Sequence, residues 1–402
     1  MNLRVLVITT AYPLRAYPEF TIAPWLWKIL QETQRHGIQP EILASAYRGI
    51  RREPDTPFVV HRYRYAPARW ETLTHEAAVY EVLKRQPGKA LLVPALLASG
   101  FLKAWQLSRE RRPSVVHVHW PLPFALLALP FRRVPLLYTF HGSDLAFLVQ
   151  SPGVRRLFTP LLRRAWRITV NSRFTQQRLL QHFSHLPPVE VLPMPPAMDI
   201  PPPEQWPRRE PYRILFVGRF IQLKGGDVLL RAFSQVLQQI PEARLVMIGS
   251  GPMESEWKAL AQELGIAPRV AFQGSVPPER LAQEYPRAAV VVVPSFQIAT
   301  GQTEALGVVA IEAQAFATPV VASRTGGLPE VVLHERTGLL VPERDPEALA
   351  QALIRLLRNP ELRHTLGQQA RRHYLRHFST ESVGRRLADL YHRLAERAPN
   401  VP

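Results

Sequence analysis

Arg213-Ile214-Leu215-Phe216-Val217-Gly218-Arg219-Phe220-Ile221-Gln222-Leu223-Lys224-Gly225-Gly226 is a short apolar run that enters a basic loop ending in two glycines. The run has strand length and β-type residues, and the amphipathic stretch from Asp227 to Gln239 that follows predicts a helix. Strand, loop and helix in that order form the unit of a parallel α/β sheet, which binds ligands at the carboxyl ends of its strands. Arg244-Leu245-Val246-Met247-Ile248-Gly249-Ser250-Gly251-Pro252 repeats the pattern, and Val270-Ala271-Phe272-Gln273-Gly274-Ser275-Val276 does so again. Arg219 and Lys224 supply two fixed cations beside glycines that permit close backbone approach, an arrangement suited to an anionic group. In isolation the same residues would read as ordinary turn cations, so the assignment depends on what lies downstream.

Downstream, two glutamates seven residues apart in the intervening sequence bracket Glu304-Ala305-Leu306-Gly307-Val308-Val309-Ala310-Ile311-Glu312. Leu306 to Phe316 predicts a short apolar helix stopped before Thr318-Pro319, with Val320-Val321-Ala322-Ser323 as the next strand. Gly307 and Val308 then open the helix with unpaired N–H groups, an end that attracts phosphate. Glu304 falls in the loop before the helix and Glu312 about a turn and a half inside it. Each carboxylate is placed to accept hydrogen bonds from a different sugar, a transferred one at Glu304 and a ribose at Glu312.

Together these residues resemble the retaining enzymes of glycosyltransferase family 4. The match runs through Gly218-Arg219, Lys224-Gly225, the Gly249 to Pro252 turn, the paired glutamates, Gly326-Gly327-Leu328-Pro329-Glu330 and Gly338-Leu339-Leu340-Val341. The resemblance implies a GT-B fold: α/β, two Rossmann-like doubly wound domains facing a central cleft, with a C-terminal helix crossing back to the first domain. It assigns Arg219 and Lys224 to a diphosphate, Glu304 to the transferred sugar and Glu312 to the ribose. The amides of Leu306, Gly307 and Val308 go to phosphate or sugar. Gly218, Gly249 and Gly251 line the nucleotide side, and the backbone at Ser275 and Val276 would hold the base.

The first half follows the pattern more loosely. Leu3 to Ile8 is an opening strand, Pro24 to Arg35 a helix, Glu41 to Ala44 a strand, and Ser114 to His119 and Pro135 to Phe140 two more. The last leads into His141-Gly142-Ser143-Asp144, the family's His-Gly-x-Asp turn. By resemblance, the ring of His141 reaches the sugar's 6-hydroxyl and its carbonyl faces the anomeric carbon. His117 and His119 alternate with valine on a strand and read as structural, since no third ligand of fitting spacing accompanies them. Thr9 to Leu14 and Tyr17-Pro18-Glu19-Phe20 stand where the family has a glycine-rich loop, which leaves the acceptor undefined. Gly301-Gln302-Thr303-Glu304 and Leu328-Pro329-Glu330 lean toward the exopolysaccharide-building branch.

The 402 residues divide into an acceptor-side domain over 1–195, a proline-dense linker over 196–211, a nucleotide-sugar domain over 212–378 and a crossover helix over 379–402. Charge is uneven. Residues 1–200 carry 26 Lys+Arg against 12 Asp+Glu, or +14, which leaves +4 of the total +18 for the rest. Such a basic half attracts a polyanion or an anionic bilayer. No zinc-finger spacing, RNP-like strand or recognition-helix signature accompanies it, so nucleic acid is not the expected partner. From Lys84 to Arg112 the apolar stretches Ala90 to Leu97 and Phe101-Leu102 with Trp105 are flanked by Lys84, Arg85, Lys89, Lys103, Arg109, Arg111 and Arg112, and read as a helix that either lies on a membrane or packs in the core. Its apolar core is expected to be too short to span a bilayer and to lie in the interface with snorkelling basic ends.

No secretory signal is evident at the start, which points to the cytoplasm, and the absence of cysteine excludes disulfides. The expected activity is a retaining, metal-independent hexosyl transfer from a UDP-, GDP- or ADP-sugar to a saccharide or lipid-linked acceptor at the inner membrane face. A soluble sugar-phosphate synthase or phosphorylase on the same fold, and a non-enzymatic basic scaffold, are the alternatives.

Overall fold

The computed structural model describes residues 3–10, 12, 23–50, 56–75 and 79–397. Tyr17-Pro18-Glu19-Phe20, and Ala11, Pro13 and Leu14 of the stretch Thr9 to Leu14, singled out above, lie outside these residues. The chain forms two units, one comprising Met1–Asn171, Thr175–Leu192 and Thr380–Pro402, the other Ser172–Phe174 and Pro193–Ser379.

The first unit holds a seven-stranded parallel sheet: β1 (Leu3–Ile8), β2 (Ile38–Ser45), β3 (Val59–Tyr63), β4 (Val115–His119), β5 (Leu136–Phe140), β6 (Arg167–Val170) and β7 (Val189–Val191). Their order is β3-β2-β1-β4-β5-β6-β7. Helices cover both faces, so β4 and β5 are buried along their whole length and read as near-continuous apolar runs interrupted only where a polar side chain is bonded. The helix Thr380–Glu396 packs against the helix Pro24–Arg35 and buries Leu387, Leu390, Tyr391 and Leu394, so the C-terminal helix belongs to the first unit, as the GT-B resemblance implied.

The second unit holds a six-stranded parallel sheet: β8 (Arg213–Val217), β9 (Arg244–Ile248), β10 (Val270–Phe272), β11 (Val290–Val293), β12 (Val320–Ser323) and β13 (Gly338–Val341). The order β10-β9-β8-β11-β12-β13 reverses between β8 and β11, and such a switch point opens a crevice at the carboxyl ends of the two strands. The basic loop leaves β8 there, and the chain leading to Glu304 leaves β11. Strands and helices fall within a few residues of their expected positions. The helix read as Leu306 to Phe316 runs instead over Val308–Ala315, because Leu306 is buried below its start and Gly307, at φ +94°, acts as the N-cap.

Residues of the expected linker pack on the second unit. The Trp206 ring lies 5.6 Å from Phe316, and Arg209 donates to the Ala317 carbonyl at 3.1 Å.

The expectation for Lys84 to Arg112 is corrected in one respect. A 3₁₀ turn (Pro87–Leu92) continues into the helix Val93–Glu110, and Pro87–Glu110 is long and apolar enough to cross a membrane by length and composition. One stripe of this helix is nevertheless committed to the first unit's core. Leu96, Gly100, Ala104 and Leu107 are buried at helical spacing, while Leu91, Leu102 and Trp105 are 86%, 63% and 43% exposed.

Candidate active site

In the second unit the turns after β8, β9 and β10 are tied together by backbone hydrogen bonds. The amide of Gly218 donates to Ile248, that of Phe220 to Ser250 and that of Gly249 to Gly274, at 2.8 to 3.0 Å. A side chain on Gly249 would bring its Cβ within 1.9 Å of the Gly218 carbonyl oxygen, so only glycine lets these turns close. Gly251 packs in the same way against the Phe220 backbone. Ser250 and Ser275 share a hydrogen bond between hydroxyls at 3.0 Å, and Val276 follows on the same rim. Gly218, Gly249, Gly251, Ser275 and Val276 therefore lie together at the carboxyl ends of β8, β9 and β10.

At the switch point, Lys224 Nζ lies 2.5 Å from Glu304 Oε2, and the Ser295 hydroxyl donates to the same oxygen at 3.3 Å. Burial works to raise the Glu304 carboxyl. The Lys224 ammonium, together with hydrogen bonds from Lys224, Ser295 and the Gly307 backbone N–H, outweighs it and holds the group below the usual carboxylate range. The sequence reading had Lys224 and Glu304 serving different ligand groups and Gly307 offering an unpaired amide. The structure instead joins Lys224 to Glu304 and turns the Gly307 amide onto that carboxylate, because a buried carboxylate beside a helix N-terminus takes the nearest donors. Arg219 is exposed on the loop, and Val308 begins the helix.

Glu312 lies on that helix, buried, and its Oε2 accepts the Tyr285 hydroxyl at 2.5 Å. Burial pushes its carboxyl up to about 7 against the opposing pull of the tyrosine hydrogen bond.

In the first unit, the turn after β5 carries His141. The Asp144 carboxylate accepts the backbone N–H groups of His141, Gly142 and Leu145 at 3.0 to 3.1 Å, which fixes the loop. Asn171 Nδ2 donates to the His141 carbonyl oxygen at 3.1 Å, and Thr175 in turn donates to Asn171 Oδ1 at 2.7 Å. The imidazole sits among Trp25, Trp120 and His119, with Nε2 at 3.1 Å from His119 Nδ1. Burial, and next the neighbouring His119, lower its basicity well below that of an ordinary histidine, so the ring is neutral at physiological pH.

His119 was read as structural, yet its ring meets His141. The signal was present: period two puts His117 and His119 on one face of β4, whose neighbour β5 ends one residue before His141. His117 does serve the fold, bonding to Tyr391 and Thr139 at 2.6 Å each. Tyr285, Asn171 and Ser295 carried no sequence signal, since each becomes a partner only through tertiary contact. Among the described residues, no group of three or more His, Cys, Asp or Glu is arranged to hold a metal.

Two doubly wound units, one presenting a cation–glutamate pair at its switch point, define a sugar-transferring enzyme of the GT-B class, and the comparisons agree. Residues 202–373 match the family of glycosyl transferases group 1, and residues 22–196 match glycosyltransferase family 4. The chain is 34% identical over 358 residues to the D-inositol 3-phosphate glycosyltransferase of Corynebacterium kroppenstedtii, covering 81% of this chain and 76% of that protein. It is 31% identical over 283 residues to a GDP-mannose-dependent alpha-(1-6)-phosphatidylinositol monomannoside mannosyltransferase of Mycolicibacterium smegmatis, covering 67% and 73%. In fold it resembles the sucrose-phosphate synthase of Thermosynechococcus elongatus, with TM-score 0.71, 23% identity, and 97% and 99% of the two chains covered. Anabaena HepE in complex with UDP and glucose gives TM-score 0.68 at 18% identity, covering 97% and 100%. The chain belongs to glycosyltransferase family 4 and is a glycosyltransferase.

Proposed function

We propose that this enzyme transfers a hexose, with retention of anomeric configuration, from a nucleoside diphosphate sugar to a hydroxyl of a lipid-linked saccharide or polysaccharide precursor at the cytoplasmic membrane face. The observation that carries the reading is the Lys224–Glu304 pair beside the Gly307 helix start at the switch point of the second sheet. When a sugar diphosphate enters, Lys224 and Arg219 stabilise the charge that builds on the departing diphosphate, and Glu304 accepts hydroxyls of the transferred sugar. Glu312 reads the ribose, and the Ser275–Val276 edge takes the base. The bond from the anomeric carbon to phosphate oxygen breaks while the acceptor oxygen bonds on the same face. The acceptor proton passes to the departing phosphate oxygen. Two protein cations perform the charge stabilisation, so no divalent metal is required. The curated relatives act on an inositol phosphate and on a phosphatidylinositol monomannoside, which supports a phosphorylated or lipid-borne acceptor for this basic chain.

The test is a product assay over UDP-, GDP- and ADP-sugars with lipid-extract acceptors, using proton NMR of the anomeric position, with and without excess EDTA. The α-configured donor should give an α-linked product at an unchanged rate in EDTA. An inverted product, or activity lost in EDTA and restored by magnesium or manganese, overturns the mechanism. Glu304→Gln should depress turnover and blur discrimination between epimeric donors.

A further inference from the structure

We propose that Tyr285 is a positioning residue for nucleotide-sugar binding: its hydroxyl donates to one oxygen of the Glu312 carboxyl group and holds that group in place for a ribose hydroxyl. This rests on the assignment of Glu312 to the ribose. The geometry is specific. Tyr285 lies on the helix Pro278–Arg287 and Glu312 on the helix Val308–Ala315, and the 2.5 Å hydrogen bond joins the two elements. The tyrosine ring is fully buried and stacked on Phe316, with centroids 5.7 Å apart and planes 12° from parallel, and Phe316 is packed by Trp206. The Tyr285 backbone is fixed as well, since its carbonyl accepts the Thr318 hydroxyl at 2.8 Å. A phenol locked in this way presents a donor of fixed position, and burial followed by the Glu312 charge keeps it protonated.

Charged and titratable groups stand on several elements packed against this helix: Glu330, on the helix Leu328–Val331, accepts the backbone N–H groups of Arg173 and Phe174 at 2.7 Å, and His373, on the helix Pro360–His377, is lowered to about 4 by burial and next by His377. Glu284, beside Tyr285, pairs with Arg213, and Arg287 reaches toward Glu210 and Glu284. Arg371, on the helix Pro360–His377, donates to the Ala315 carbonyl, and Tyr374 on the same helix is buried in the apolar cluster. β11 and β12 contribute Val290–Val293 and Val320–Ser323, which carry no ionisable side chain. Protonation of Glu312 is therefore governed by its burial and by Tyr285.

An ionised carboxylate accepts a sugar hydroxyl through a charge-assisted bond, stronger than the one its neutral form makes. Affinity for the donor should thus fall as pH drops through the titration of Glu312, about 7 in the unliganded protein. Removing the Tyr285 hydroxyl takes away the donor that favours the ionised form, which moves the midpoint upward.

The experiment measures calorimetric affinity for UDP-glucose, GDP-mannose and ADP-glucose between pH 5.5 and 9, since the diphosphate diester of these donors does not titrate in that range. Wild type, Tyr285→Phe and Glu312→Gln are compared after their folds are checked by circular dichroism. Wild type should lose affinity with a midpoint near pH 7. Tyr285→Phe should show the same loss displaced upward by roughly one pH unit, so that it binds about fivefold more weakly at pH 7 and recovers by pH 9. Glu312→Gln should bind weakly with no such pH dependence. A Tyr285→Phe curve with the wild-type midpoint, or one lowered equally at every pH, overturns the positioning role while the ribose assignment stands. Glu312→Gln behaving as wild type, or no binding of any of the three donors, overturns the ribose assignment and the proposal with it.

Discussion

Lys224 and Glu304 show how a single pair can serve both stability and chemistry. The two side chains are only 19% and 15% exposed, so loss of one leaves the other partly buried without its counter-charge. Arg219, by contrast, stands exposed on the loop. Lys224→Ala is expected to lower turnover by on the order of a hundredfold and to lower the melting temperature as well. Arg219→Ala should cause a comparable loss of turnover, measured by steady-state kinetics on a variant that differential scanning fluorimetry shows to be folded. Near-normal turnover in either folded variant contradicts the diphosphate role. Glu312 makes a prediction about pH. Its carboxyl is raised to about 7 from the ordinary 4.5, so between those values the folded state binds the extra proton and the unfolded state does not. The contribution of this group to stability accordingly falls as pH rises from 4.5 to 7. The stability of Glu312→Gln relative to wild type should therefore improve over that interval, read as the difference in urea midpoints. A constant difference from pH 4.5 to 8 shows that the buried carboxyl is not the titrating group.

At the scale of elements, the helix Val93–Glu110 has two faces with separable roles. A Cβ on Gly100 would lie 2.8 Å from Leu127 Cδ2 and 2.9 Å from Tyr63 Cζ, so Gly100→Val overfills the contact with the sheet and should cost about 1–3 kcal/mol of stability. The opposite face carries Leu102 and Trp105, the latter with the Arg109 guanidinium 3.7 Å from its ring centroid. Leu102→Ser with Trp105→Ser should leave the unfolding midpoint within about 0.5 kcal/mol of wild type while reducing co-sedimentation with anionic vesicles. A large stability loss from the pair, with vesicle binding intact, assigns this face to packing. The helix after β8, expected from Asp227 to Gln239 and found over Gly226–Gln239, was legible in sequence because the Gly225-Gly226 turn that starts it is a local device. The start of the Glu312 helix was misplaced by two residues, since Leu306 is apolar for a reason that lies outside the helix, namely burial beneath it.

For the whole molecule, the +14 carried by residues 1–200 is a long-range property that added salt screens. Arg109, Arg111 and Arg112 are exposed together at the end of that helix, with Arg111 3.6 Å from Glu41. Neutralising all three to Gln is expected to weaken partitioning to anionic vesicles by about a hundredfold, and raising salt from 0.05 to 0.5 M should, by order of magnitude, act similarly. Equal recovery with anionic and zwitterionic vesicles, or no binding by wild type at low salt, defeats membrane attachment. What the chain determined by itself is the alternation of apolar runs, glycine turns and amphipathic helices. From these came the doubly wound class and the residues at the strand ends, because strand period and turn chemistry act over a few neighbouring positions, whereas the crossing of the last helix was implied by the family resemblance. Tertiary structure alone decided which of those residues meet. Lys224 and Glu304 are 80 positions apart, Tyr285 and Glu312 27, and His119 and His141 22; the first and last pairs form where the sheet order brings strand ends and loops together, and the second where two helices of the second unit pack. It also decided ionisation, since burial raises Glu312 and the nearby Lys224 outweighs burial at Glu304, a balance set by surroundings that no local pattern encodes.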